Sequence, residues 1–538
     1  MSAHALLLPP ALLGFVAISV FALRPWLSNR GQMFLLTWAA AGALWLVVLV
    51  ASESSQEVVL SAWPLAGTDT PALVFNPQAI GMWLALLAAI TGIAVVFGQL
   101  DEPDAELNPI LSATVLLLVA ATMLWATAAN LVTVLVCWAL LDAATLLAFG
   151  LIRSPGLAVR IVIMGQFASL FLLAAALQIP LQAGPLIGKL SQLGPVGFWI
   201  ALAIVLRIGV YPLHLNLTDK PGIPHPLSGI MPLASGVAGL GLGLRLFQAQ
   251  GAGLFPAWLA TLVCVGLPPL GYLSWTSTDR QGTASLLIAY TSALGFLALL
   301  WGLPLAAIAA LLNVGLALPL LLSCPPATQK SGWRCWPAAI AWLSLAGAPL
   351  TAGFWTLLPL LRHSMAQSLW LPVAAIAIGS LFVTATMLRE MAVSTSLPTT
   401  GPSFWIAAGL LAAPLALLGL SPAVPRFLLL ASGGPFWPTV DVALTTVPQR
   451  ALWVALILPW AGGYLLWRGW HRLPRWAWRV LDVLGQLLTA RWIRRATNRG
   501  AIALGTVLRR TTGLWEGEHV ILWTLLFAFI LILSVMNP

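Results

Sequence analysis

The strongest constraint on this chain is how little charge it carries. Of 538 residues, 7% are Asp, Glu, Lys or Arg, whereas 60% are hydrophobic. A soluble domain draws about a quarter of its residues from those four types. With so few, most of this chain's surface has to face lipid. Its apolar runs are about 18–25 residues long, the length a helix needs to cross a bilayer. They fall near 4–23, 33–51, 79–99, 109–127, 130–151, 159–178, 196–215, 226–248, 253–274, 284–301, 303–323, 336–361, 369–388, 404–420, 449–467 and 517–536. The expected fold is therefore an all-α polytopic membrane protein of about 14–16 transmembrane helices.

The net charge of +10 does not point to nucleic acid, because Lys and Arg concentrate in short loops on alternate sides of the spans. With the N-terminus outside, the inner loops hold Arg24, Arg30, Arg153, Arg160, Lys220, Arg280, Lys330, Arg334 and Arg389. The outer loops keep only Lys189, Arg362, Arg426 and Arg450, beside the acidic "SESSQE". The N-terminal apolar run lacks a small-x-small cleavage site and is long enough to span, so it reads as a retained helix. Bacterial inner membrane is the expected location. The four cysteines have no CxxC spacing, and neither a metal site nor any other cofactor is expected.

Ionisable residues inside spans are expensive and mark functional sites by default. Asp142 lies mid-span in "NLVTVLVCWALLDAATLLAF". Arg207 lies in the seventh span, followed by Tyr211, His214, Asp219, Lys220 and His225 in a stretch broken by Pro212 and Pro226. Histidine can pass protons near neutral pH, whereas an arginine side chain holds its proton. Arg207 is therefore read as a gate or counter-ion, with Asp142 as the group able to take up a proton. Arg245 is a further buried-charge candidate for this path. In "SLAGAPLTAGFWTLLPLLRHS", Pro349 between Gly347 and Gly353 interrupts a second helix. Two interrupted helices in corresponding places are a pointer to a transporter built from inverted repeats.

Residues 467–513 carry arginines among Trp, Leu, Ile and Val at helical spacing, the pattern of a basic amphipathic helix lying on lipid headgroups or on a partner subunit. The expected organisation is N-terminal spans and an outside loop over 1–74, a core of two inverted repeats over 75–390, and C-terminal spans over 391–467. A basic surface helix over 468–516 and a final span over 517–538 complete it. No nucleotide loop, haem or iron–sulfur spacing occurs, so no catalytic centre is expected on this chain, and any redox chemistry falls to partner membrane subunits.

These features resemble the antiporter-like membrane subunits of respiratory complex I, Mrp-type cation/proton antiporters and membrane-bound hydrogenases. The likeness covers residues 75–390. It rests on Trp138-Ala139 where the family has Trp-Glu, and on Arg207 with "YPLHLNLTD" and "PHPLSGIMPLAS" for its lysine-containing broken span. "GAPLTAGFWTL" at 347–357 and "LLIAYTSALGF" at 286–296 complete it. The basic segment resembles the family's lateral helix. The resemblance implies an ion-translocating subunit of a multisubunit complex, with Asp142 and Arg207 replacing a Glu–Lys pair. Yet other slots of the family's titratable row hold Ala139, Pro232, Ser285 and Leu357. A structural subunit without a proton path, and a transport partner in an inorganic-carbon uptake complex, are the alternatives.

Overall fold

The computed structural model describes residues 3–52, 57–62, 72–100, 108–152, 155–178, 194–213, 225–250, 255–323, 336–392, 401–420, 449–472, 474–488 and 499. The chain divides into two units, Met1–Arg479 and Val480–Pro538.

Helices dominate the described residues. The first half contains α1 (Leu8–Leu23), α2 (Asn29–Ser52), α3 (Ala79–Phe97), α4 (Asn108–Thr127), α5 (Leu131–Leu151), α6 (Pro155–Leu177), α7 (Gly194–Ile208), α8 (His225–Pro232) and α9 (Ala238–Gln250). The second contains α10 (Trp258–Thr276), α11 (Arg280–Leu300), α12 (Pro304–Leu312), α13 (Leu318–Ser323), α14 (Trp336–Leu345), α15 (Ala352–Ala366) and α16 (Trp370–Ala392). Then follow α17 (Pro402–Leu420), α18 (Gln449–Gly469) and α19 (Arg475–Leu488). Twelve helical stretches among the described residues are long and apolar enough to cross a membrane, and three shorter apolar helices accompany them. The chain is thus an all-α multi-pass membrane protein. The expected span at 517–536, the segment 421–448 and most of the basic stretch lie outside the described residues.

Burial sorts the helices. The stretch Pro304–Ser323 is 94% buried, whereas Arg450–Gly469 is only 17% buried, so the former runs through the centre and the latter along the rim. α1 and α2 expose Phe15, Ile18, Phe34, Trp38 and Trp45, as lipid-facing helices do. On α19, the exposed Trp476, Val480, Val483, Leu484 and Leu487 form an apolar stripe opposite Arg479 and Asp482. That matches the amphipathic helix expected there.

Three features depart from the sequence expectation. The region read as an outside loop contains a hairpin, Val58–Ala62 antiparallel to Ala72–Phe75. Its second strand ties onto the α4–α5 corner through Ala129 N–H to the Val74 carbonyl and Val74 N–H to Thr133 Oγ1. The seventh span stops at Ile208 rather than 215. Gly209 has φ +71, and its N–H and that of Val210 both return to the Val205 carbonyl, closing the helix before Pro212 is reached. Two π-helical turns were not foreseen. One, Leu233–Val237, joins α8 to α9 and follows Pro232, which has no N–H to continue the α ladder. The other, Asn313–Ala317, joins α12 to α13.

The second interruption falls where the sequence placed it. α14 ends at Leu345, Gly347 adopts φ +73, and Thr351 caps α15 by accepting the Phe354 N–H at 3.4 Å. Gly353 abuts the Ser344 carbonyl so closely that any Cβ there would collide with it. In each consecutive set of five spans, α4 to α9 and α10 to α16, the helix of the fourth stops early: α7 at Ile208, and α14 at Leu345 before α15 resumes at Ala352.

Candidate functional site

Asp142 sits on α5, a helix started by Asn130, whose Oδ1 accepts the Thr133 N–H at 2.7 Å. Leu141 and Asp142 turn inward, while Ala139, Leu140 and Ala143 face out. Position 139, where the resembled family carries its glutamate, is thus exposed, whereas Asp142, about one turn further on, is buried. Arg207 occupies the last turn of α7, directly before the break, where a cation also complements the helix C-terminus.

The two meet across 65 residues of sequence. Arg207 Nη1 donates to Asp142 Oδ1 at 2.6 Å, with each side chain 4% exposed. Gln166, on α6, donates from Nε2 to Asp142 Oδ2 at 3.3 Å. The guanidinium lies 4.9 Å above the Trp138 ring, and Arg207 Nε donates to the Ala234 carbonyl at 3.0 Å. Ala234 belongs to the first π turn. The guanidinium is thus held by a carboxylate, an aromatic face and a backbone carbonyl, geometry that suits a planar fork of donors better than an ammonium. Its Nη2 is buried with no hydrogen-bond partner.

Other predicted residues separate from this pair. Arg245, placed in the same path from sequence, is buried on α9 and donates to the Trp125 carbonyl at 3.0 Å and to the Ala128 carbonyl. It clamps the free end of α4, so its bonds are to that helix rather than to Asp142. Tyr211 lies half-buried just past the end of α7, and Pro212 follows it through a cis bond. His225 and Pro226 open α8. His214, Asp219 and Lys220 lie outside the described residues.

The second interruption has a bond of the same kind without charge. Ser344, in the last turn of α14, donates through Oγ to Asn313 Oδ1 at 2.6 Å, and Asn313 is the first residue of the second π turn. Both side chains are buried. Also in the second half, Tyr290 and Ser380 share a 3.0 Å hydroxyl contact. Leu357 is buried with its side chain against Gly347. The titratable pair of the first half is matched in the second by hydroxyls, an amide and leucine. Among the described residues no cluster of three His, Cys, Asp or Glu occurs, and Cys137 and Cys264 are buried free thiols.

Sequence reasoning found Asp142 and Arg207 but missed Gln166, Ala234 and Gly165, which form the rest of the enclosure. Only Trp138 carried a signal, as part of the Trp-Ala dipeptide.

No protein-family model matches the chain, and no curated protein matches it by sequence. Its structure does match solved ones. It superposes on a chain of the Mrp complex from Dietzia sp. DQ12-45-1b with a TM-score of 0.73 at 18% identity, over 98% of this chain and 62% of that one. The present chain therefore spans under two thirds of that protein. A chain of the membrane-bound sulfane sulfur reductase, an archaeal respiratory membrane complex, matches with a TM-score of 0.66 at 15% identity, over 99% of this chain and all of that one. A chain of respiratory complex I from Thermus thermophilus matches with a TM-score of 0.63 at 18% identity, over 87% of this chain and 100% of that one. The chain shares its fold with these chains of membrane complexes, as the sequence motifs lead one to expect.

Proposed function

We propose that this chain is an ion-translocating membrane subunit of a multisubunit complex, with the Asp142–Arg207 pair as its switch. The observation that carries the proposal is the buried 2.6 Å ion pair set at the end of a broken helix. Holding helices together with a buried ion pair is no cheaper than apolar packing, so such a pair in a span favours function over adhesion. Asp142 is the group that binds and releases a proton, and Arg207 sets the electrostatic condition for release. Mrp, sulfane sulfur reductase and complex I chains of the same fold occur in membrane complexes, which supports membrane subunits as partners.

The pathway reading extends to Tyr211, His214, Asp219, Lys220 and His225 as an inner half-channel leading from the first break, and to Arg245 as a further charged residue of the path. The excess of arginine and lysine in alternate loops supports an N-terminus outside. The apolar stripe of α19 supports contact of the basic segment with lipid headgroups or a partner.

The test is Asp142→Asn in the complex reconstituted into proteoliposomes. Flux of protons or alkali cations disappears while the complex still assembles; undiminished flux overturns the reading. A second reading is favoured by the neutral second break and by Leu357: a docking subunit that keeps the fold without the transport. Under that reading Asp142→Asn alters assembly or stability alone.

A further inference from the structure

The ion pair has a wall whose residue type matters. Gly165 lies on α6, the helix packed against both α5 and α7. A Cβ built at position 165 would lie 2.6 Å from Asp142 Oδ2, 2.7 Å from Asp142 Oδ1 and 2.8 Å from Arg207 Nη1. Real Cβ atoms do not approach other heavy atoms that closely. All three collisions involve the two charged groups, and all lie at the point where those groups touch. Gln166, the next residue, is exposed on the outer side of α6 and holds the other edge of the carboxylate.

A glycine in the interior of a helix is intrinsically unfavourable relative to alanine. Gly150, on α5, shows what an unconstrained helical glycine looks like: nothing lies within 4 Å of its would-be Cβ. At position 165 the bare Cα is instead filled against by the carboxylate and the guanidinium.

We propose that Gly165 is a positioning residue for the Asp142–Arg207 pair: its missing side chain is the space in which the two charges close on each other. A methyl group there wedges between them, so the residue at 165 sets how closely the carboxylate and the guanidinium approach. This deepens the ion-pair reading given above and rests on the same site. It concerns the geometry of the pair, whether or not the pair conducts.

The test is a set of variants of the full-length chain, purified in detergent and followed by thermal unfolding. Gly165→Ala lowers the midpoint in the native background, whereas Gly150→Ala leaves it unchanged or raises it. In a background of Asp142→Ala with Arg207→Met, the colliding atoms are gone, and Gly165→Ala then has no effect or raises the midpoint. This change of sign is the signature of action through the pair. Equal losses in both backgrounds, or no loss in the native one, overturn the proposal. If the double variant fails to assemble, Asp142→Ala alone takes its place: it removes both carboxylate contacts, and a loss from Gly165→Ala as large as in the native chain again overturns the proposal. The cycle reads stability, so it fails or succeeds independently of the flux measurement that tests the transport reading.

Discussion

The two helix breaks of this protein are built on one plan and filled with different chemistry. In each, a side chain in the last helical turn before the break bonds to a π turn in another helix. In the first half the bond runs from the Arg207 guanidinium to the Ala234 carbonyl; in the second it runs from the Ser344 hydroxyl to the Asn313 side chain. The two π turns themselves meet closely: a Cβ on Gly236 would lie 2.6 Å from Val314 Cγ1. The plan therefore serves the fold, since it anchors a helix end whose carbonyls have lost their ladder. Charge is an addition to the first break alone, where Asp142 and Gln166 complete it.

That difference is open to breaking by mutation. The largest effect is expected for Asp142→Ala, which leaves Arg207 buried and unpaired: about 3–5 kcal/mol of stability is lost, measured by unfolding in detergent. Replacing both members together, as Asp142→Leu with Arg207→Met, is expected to be near neutral. If the double change costs as much as the single one, the first break is held by charge in the same sense that the second is held by a hydrogen bond.

Arg207→Lys sharpens the comparison next. It keeps the charge but loses the Nε bond to Ala234, and about 1.5–3 kcal/mol follows from the loss of one hydrogen bond to a charged group. The same unfolding measurement on Ser344→Ala strands the buried Asn313 oxygen and is expected to cost about 1–3 kcal/mol. Smallest is Trp138→Phe, a weakening of the cation–π contact by about 0.5–1 kcal/mol. An Arg207→Lys chain as stable as the native one would show that the enclosure does not select the guanidinium.

The sequence makes the spans legible because lipid imposes a single period and length on every crossing helix. Fifteen of the sixteen expected apolar stretches coincide with described helices or helix pairs, and the remaining one, 517–536, lies outside the described residues. Asp142 and Arg207 are legible for the same reason, as charges where charge is costly. Their pairing is not, since they are 65 residues apart and no local rule joins α5 to α7. Gly165 is one glycine among 46, and only the approach of two other helices gives it a role. The π turns are shifts of a single hydrogen bond within a continuous apolar run, and hydropathy does not register them. Pro232 was the one local hint. The partners of Arg245 were likewise not legible: its guanidinium donates to the Trp125 and Ala128 carbonyls at the end of α4, more than a hundred residues away in sequence.

In the proposed transport the charged break moves ions and the neutral one does not. The direct measurement is ion flux across proteoliposomes holding the assembled complex, with Asp142→Asn and Ser344→Ala compared at equal protein incorporation. Flux is predicted to vanish in the first and to persist in the second. Persistence in both, or equal loss in both, would contradict it.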